Sequence, residues 1–290
     1  WLLDQQSYYS FRARYAVIVQ RSVGTHSFQH IVKYQRLDEL QEKIQHFSTR
    51  VLKNDCLELP EKVYTKRVVS LTAEQLKAYT EMKKAAITFF DENVMTAASV
   101  LTQIIRLHQI TCGHFKTDDG EVKSIKSNRI KELLEVLEET NGKVIIWAVY
   151  RYDIQQIEKT LGDKYGKESV ATYYGDTKDS IRQSIVDRFM DPDDPLRFFV
   201  GNPKTGGYGL TLTSSHTVVY YSNDYSLEIR LQSEDRAHRI GQTNKVTYVD
   251  LIAENTIDEK IVKALNAKID LASQVMGEDP KKILFTIFIS

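Results

Sequence analysis

From Ser127 onward the chain alternates amphipathic helices with short apolar runs, a pattern that few folds accommodate. Ser127 is placed to cap a helix whose apolar positions Ile130, Leu133, Leu134 and Leu137 recur at helical spacing, and Gly142 ends it. Residues 144–149 then read as a buried strand. They are followed by a helix over 154–161, a strand over 170–174, a GDT turn, and a helix carrying Ile181, Ile185 and Phe189. Residues 197–200, 217–221 and 246–252 give further strands, and a helix from about 258 to 276 closes the series. Strands that alternate with helices pair in parallel and need cover on both faces, so the expected fold class is α/β, with one parallel sheet between two helical layers. In open sheets of this kind ligands bind beyond the carboxyl ends of the strands, and the informative motifs below are expected there.

Ahead of Ser127 the pattern changes. Residues 37–47 are amphipathic, 63–71 alternate like a strand, and 72–90 and 97–112 read as two long helices, a mostly helical connecting region. Residues 116–126, polar and charged with one glycine, are the best linker candidate. The expected division is 1–71, a helical protrusion with linker over 72–126, the α/β lobe over 127–276, and a tail over 277–290. At 290 residues and 42% hydrophobic, the chain has enough apolar material for a large core. It reads as a soluble globular chain, since no apolar run approaches the roughly 20 residues that span a bilayer. The two cysteines, Cys56 and Cys112, form no CxxC pair, which fits a reducing, intracellular compartment. Lysine plus arginine equals aspartate plus glutamate at 39 each, so net charge gives no support to nucleic-acid binding, although local basic patches act over about a Debye length. A first residue of Trp1 leads to the expectation of a fragment of something longer.

Two strings carry the chemistry. In GGYGLTLT (206–213), Gly206, Gly207 and Gly209 would let backbone approach a nucleotide or nucleic-acid strand closely, and Thr211 and Thr213 would offer hydroxyls to phosphates. The bland reading is an ordinary glycine turn. In QSEDRAHRIGQ (232–242), Arg236 and Arg239 stand three residues apart on an expected helix, hence on roughly one face. Guanidinium forks suit phosphate oxygens and neutralise charge that grows on a transferring phosphoryl group. Here the bland reading is a surface ion pair between Asp235 and Arg239. What outweighs it is the whole string in order behind a glycine-rich loop and a strand. GNPKT (201–205) is not a phosphate loop, because Pro203 stands where a glycine must precede the lysine, and ITFFDE (87–92) ends a helical pattern rather than an acidic strand. The histidines lack metal-ligand spacing, so no metal site is expected, and the tyrosine pairs fit sheet packing.

Together these strings resemble the fifth and sixth motifs of the Swi/Snf-related ATPases of helicase superfamily two. KVIIWAVYRYDIQQIEKTL (143–161) looks like the family's fourth motif, and YYGDTKDSIRQSIVDRF (173–189) and VTYVDLIAENTIDEKIVKAL (246–265) resemble later parts of its second lobe. Segments within 37–79 and RLHQITCG (106–113) are similar to the region joining the lobes, whereas 1–33 is only loosely similar and 283–290 matches nothing. The resemblance implies a RecA-like second lobe of the P-loop NTPase type, with 1–71 as the tail of a first lobe plus the inter-lobe connection. It also implies ATP and Mg2+ bound between two lobes of an intact protein, with none bound by this chain alone. By match, Arg239 would be an arginine finger on the γ-phosphate with Arg236 beside it, and Gln232, Asp235, Gly207 and Gly209 would bind or couple the nucleotide. Gly206, Lys204, Thr211 and Thr213 would contact nucleic acid. Implied partners are double-stranded DNA and a first lobe in cis, with no membrane. The implied parent is a DNA-dependent ATPase and double-stranded-DNA translocase. A strand-separating helicase and a non-catalytic half-motor stand as alternatives. No GxxxxGK[ST] and no DExH occur in the sequence, so the chain alone is expected to be inactive. Its compactness favours a bacterial or phage, cytoplasmic protein, or a nuclear one if eukaryotic.

Overall fold

The computed structural model describes residues 3–23, 26–49, 56–91, 97–117, 119–206 and 209–276. Helix α1 (Tyr8–Tyr15) leads into an antiparallel hairpin, β1 (Ala16–Val23) and β2 (His26–Tyr34), and then α2 (Leu37–Gln45). Strand β3 (Lys62–Val68), long helices α3 (Ala73–Asp91) and α4 (Ala97–Cys112), and short strands β4 (His114–Lys116) and β5 (Val122–Ser124) follow. The alternating part runs α5 (Arg129–Glu138), β6 (Lys143–Trp147), α6 (Arg151–Tyr165), β7 (Val170–Tyr173), α7 (Asp179–Met190), β8 (Phe198–Gly201), β9 (Ser215–Tyr220), α8 (Leu227–Glu234), β10 (Val246–Ile252) and α9 (Ile257–Met276).

Six strands form one sheet in the order β3-β10-β9-β6-β8-β7, every neighbouring pair parallel. The expected α/β sheet is present, and it draws one strand from ahead of residue 127. β3 pairs along its whole length with β10, from Lys62 opposite Val246 to Val68 opposite Ile252. Alternate strand residues point to opposite faces. Val144, Ile146, Phe198, Val200 and Val219 therefore meet Leu133, Leu137, Ile154, Ile157 and Leu161 of α5 and α6. Ile145, Trp147, Phe199, Val218 and Tyr220 meet Ile185, Val186 and Phe189 of α7 on the other face. The expected linker over 116–126 is instead part of a hairpin, because β5 pairs antiparallel with β4 and Ile125 N donates to Gly113 O at 2.8 Å. Ser127 does accept an N–H at the start of α5, from Arg129 at 3.2 Å. The segment 87–91 is helical, as expected.

Arg129 is wholly buried and joins the helical region to the carboxyl ends of the strands. Its Nη1 donates to Tyr221 O at 2.6 Å and Leu251 O at 3.0 Å, its Nε donates to Thr111 O at 3.2 Å, and its Nη2 pairs with the Asp258 carboxylate. Asp258 also accepts from Thr111 Oγ1 at 2.8 Å and Ala253 N at 3.1 Å. Burial works to raise the Asp258 pKa, but Arg129 and these donors together hold it below the usual carboxylate value. Removing one partner of such a pair leaves the other charged and unpaired in the core. Asp258→Ala is expected to lower stability by about 3–5 kcal/mol, read as a shift of the urea midpoint followed by tryptophan fluorescence.

Candidate functional site

Helix α8 starts after the carboxyl end of β9, capped by the Ser226 hydroxyl, which accepts from Ile229 N at 3.4 Å. Running against the strand direction, it finishes at their amino ends. There the chain leaves the helix, so Arg236 and Arg239 lie on successive turns over 235–242 and not on the expected helix. The position is also corrected: the arginines sit at the amino, not the carboxyl, ends of the strands, where His238 Nε2 lies 2.7 Å from Pro60 O and Gln242 Nε2 donates to Ser215 O at 2.9 Å. The cause is local. Glu234 O accepts from both Ala237 N and His238 N, at 3.2 and 3.1 Å, and Gln242 N donates to Arg239 O at 2.9 Å, which winds the backbone into turns.

The turns nonetheless bring the two guanidinium groups together. Arg236 Nη1 donates to Leu210 O at 3.1 Å, and Arg239 Nη1 donates to the same oxygen at 3.3 Å. Arg236 Nε donates to Gln232 O at 3.0 Å, and Leu212 N donates to Arg236 O at 2.9 Å. Gln242 completes the lacing: its amide donates to Thr213 O and Ala237 O, each at 3.2 Å, while its Oε1 accepts from Thr243 N and Asn244 N. Arg236 is half-buried and Arg239 exposed. Burial first, and then the neighbouring positive charge of Arg239, lowers the Arg236 pKa against the opposing pull of Asp235. Arg239 has no carboxylate partner among the described residues. Two like charges sharing one carbonyl make an electrostatic seat for a polyanion.

Beneath the turn lies a buried charge network that the motif reading did not single out. Glu234 Oε1 accepts from Arg230 Nε at 2.8 Å, and its Oε2 accepts from Lys62 Nζ at 2.9 Å and Tyr64 OH at 2.7 Å. Arg230 also donates to Asp250 at 2.6 and 3.1 Å and to Asn223 at 2.6 Å, and its guanidinium lies 3.4 Å from the Tyr220 ring centre. The one sequence signal was Arg230 and Glu234 four apart on a helix. Asp235 is 3.7 Å from Lys62, and Gln232 Nε2 donates to Glu228 at 3.0 Å, so both expected coupling residues also brace the helix end.

The remaining expected residues divide between the two ends of the sheet. Gly209, with φ +76° and open space where a Cβ would stand, lies beside the arginines with Thr211 and Thr213 in the same stretch. Gly206 has a different reason for being glycine: a Cβ there would stand 2.6 Å from the Trp147 ring. Gly207 lies outside the described residues. Lys204 sits at the carboxyl end after β8, exposed, with its Nζ 3.4 Å from Asp224. Asn202, two residues earlier, donates to Val149 O at 2.8 Å, and β9 puts roughly 20 Å between this end and the arginine turn. Among the described residues no cluster of three metal-binding side chains occurs, and no helix is long and apolar enough to cross a membrane. His108 and His114 are buried beside Asp258 and Asp153, at 3.8 and 3.1 Å.

Residues 125–241 match the helicase conserved C-terminal domain. Over 273 residues the chain is 30% identical to the SWI/SNF chromatin-remodeling complex subunit snf22 of Schizosaccharomyces pombe, covering 89% of this chain and 16% of that protein. It is 29% identical over 256 residues to a putative ATP-dependent helicase/translocase, YwqA, of Bacillus subtilis, covering 84% of this chain and 27% of that one. The Sulfolobus solfataricus SWI2/SNF2 ATPase core, solved in complex with dsDNA, superposes with a TM-score of 0.59 at 24% identity, covering 87% of this chain and 56% of that one. Fold and matched domain define a class, the RecA-like C-terminal lobe of a helicase. Within that class its relatives are ATP-dependent helicases of the Swi/Snf-related type. The chain spans only 16% and 27% of the length of the two relatives above.

Glu234 yields a pH-dependent test. Burial raises its pKa, but Lys62 and Arg230 outweigh burial and bring it from 4.5 to about 2. A depressed carboxylate contributes stability that is complete above its unfolded pKa and lost as pH falls toward the folded value, here between about pH 5 and pH 2. The contribution is on the order of 3 kcal/mol. Glu234→Gln is expected to be less stable at pH 7 and to flatten the acid limb in that window, measured by urea denaturation at successive pH values.

Proposed function

We propose that the chain is the arginine-bearing lobe of an ATP-dependent double-stranded-DNA translocase. The observation that carries the reading is the shared carbonyl of Leu210, which holds Arg236 and Arg239 side by side with Arg239 exposed. A first lobe in cis would supply the phosphate loop, its lysine and the acidic magnesium-binding motif, and the magnesium ion would neutralise charge on the phosphate oxygens. Arg239 reaches the γ-phosphate as that lobe closes, and its fork stabilises the charge that develops during transfer. Arg236, anchored through its Nε to Gln232 O, orients its neighbour and adds a second positive charge. Gln232 and Asp235 tie the turn to α8 and Lys62, so that movement at the nucleotide reaches the sheet.

The glycine-rich stretch then serves two tasks at two ends. Gly207 and Gly209 would serve the nucleotide edge, and Gly209 adjoins Leu210, whose carbonyl holds the arginines. Lys204 and Gly206 open the same loop at the opposite end of the strands, where Lys204 meets the DNA backbone, and Thr211 and Thr213 offer hydroxyls along the loop. The covalent loop between the two ends gives hydrolysis a mechanical route to the duplex. Domain closure and reopening around ATP would advance the lobe along DNA. The chain alone, with arginines and no phosphate loop, turns over no ATP.

The test is DNA-stimulated ATP turnover by the two-lobed protein. Arg239→Ala is expected to reduce kcat on the order of a thousandfold while nucleotide binding weakens only modestly. A turnover unchanged from wild type would return the arginine pair to surface structure. Translocation without strand separation is the expected companion result, and unwinding of a duplex would favour a strand-separating helicase.

A further inference from the structure

Residues 5–36 hold five lysines and arginines and two histidines with no aspartate or glutamate, where the chain's average composition would place about four acids. In a protein of zero net charge this is a pronounced local asymmetry. The segment folds as α1 and the β1–β2 hairpin, a two-stranded sheet separate from the other two, tied to the rest through α2, which packs on α9. Of its cations with described side chains, one is neutralised. Arg14 forms a two-pronged pair with Glu39, through Nε at 2.7 Å and Nη2 at 2.8 Å. Arg12 donates to the uncharged Gln29, so its charge persists. Lys33 and Arg36 are exposed and have no ion-pair partner among the described residues.

The hairpin's register concentrates basic groups on one face. Lys33 stands opposite Val17 and His30 opposite Val19, and Val17 and Val19 share a face. Three residues apart, His30 and Lys33 would ordinarily point to opposite faces. A bulge between Val17 and Ile18 takes up Val32 as the extra residue and brings them to the same side. On α1, which meets β2 through Arg12 and Gln29, Tyr8 and Tyr9 are 67% and 75% exposed, and Tyr34 is 47% exposed next to Lys33 in sequence. Exposed phenols among uncompensated cations match a phosphate backbone, which takes hydroxyl and ammonium donors alike. A two-stranded ribbon also has the width that a DNA groove admits. A lipid surface fits less well, because α1 is not amphipathic and offers no apolar stripe to insert.

We propose that the β1–β2 face with Lys33 and His30, together with Arg36 and the α1 tyrosines, is a second binding surface for the backbone of double-stranded DNA. It is separate from the loop after β8 and from the arginine turn. The proposal rests on the duplex-binding reading above and adds a grip on the far side of α2 from it in sequence. Its contribution is electrostatic and independent of base sequence.

The test uses the 290-residue chain, a fluorescently labelled duplex of about 30 base pairs, and anisotropy titrations between about 50 and 200 mM NaCl. Lys33→Ser/Arg36→Ser is expected to bind about tenfold more weakly, with a log–log salt slope shallower by about 1.8, the value for two lost phosphate contacts. Its unfolding midpoint should match wild type, and Lys131→Ser, an exposed lysine on α5, should leave binding unchanged. Wild-type affinity and slope in the double variant would overturn the hairpin surface, and if Lys204→Ala weakens binding in the same assay the duplex reading survives that loss. Failure of wild type to bind the duplex at 50 mM salt would sink both. Binding to anionic phospholipid vesicles that falls in the double variant while duplex binding does not would also overturn the proposal, in favour of a membrane.

Discussion

Glu234 is the group on which the arginine turn rests. Its carboxylate accepts from Arg230, Lys62 and Tyr64, and its carbonyl oxygen accepts from Ala237 N, His238 N and Tyr248 OH. One residue thus joins α8, β3 and β10 and starts the turns that carry Arg236 and Arg239. Buried charges repay desolvation only when every partner is supplied, and here two carboxylates, Glu234 and Asp250, balance two cations, Arg230 and Lys62. Such a network fixes a geometry more than it adds stability. The role proposed for Arg239 needs that fixity, because misplacement of a positioned group by an ångström costs most of its effect.

A second network mirrors it at the other end of the sheet. Arg129 and Asp258 gather carbonyls from α4, β9 and β10 into one buried cluster, so the helical region is tied to the strand ends opposite the arginines. Between the two clusters lies an apolar sheet, with Trp147 packed against Gly201 and Gly206 so closely that a side chain at either glycine would collide with it. Gly206 is therefore set by packing, whereas Gly209 is set by its left-handed backbone and leaves room for a visitor.

Much of this was legible in the sequence where a single local signal decided the outcome. The strand over 246–252 has the bounds expected of it because Val246, Tyr248, Val249, Leu251 and Ile252 are buried in a sheet covered on both sides. Helix 97–112 was equally plain. What local signals could not show were pairings between distant segments. Strand β3 joins the sheet through β10, 184 residues away, and the short strand β5, which pairs with β4, lies within a polar stretch that reads as linker. The arginines were found, but not their backbone: SEDRAHR has ordinary helical propensity, and beside the local turn bonds stand long-range ones, Leu212 N to Arg236 O and both guanidinium groups to Leu210 O, that no local signal shows. The end of the sheet at which they sit followed from α8 running against the strands, a fact of topology rather than spacing.

The central claim is that this turn presents Arg239 to phosphoryl charge that exists only as transfer proceeds. Affinity for ADP alone and for ADP with aluminium fluoride, a mimic of the transferring phosphoryl group, tests it directly in the two-lobed protein by comparing wild type with Arg239→Ala. The account predicts that wild type binds the mimic far more tightly than ADP, and that the variant loses this margin while its ADP affinity stays within a few-fold of wild type. An undiminished margin in the variant would contradict it.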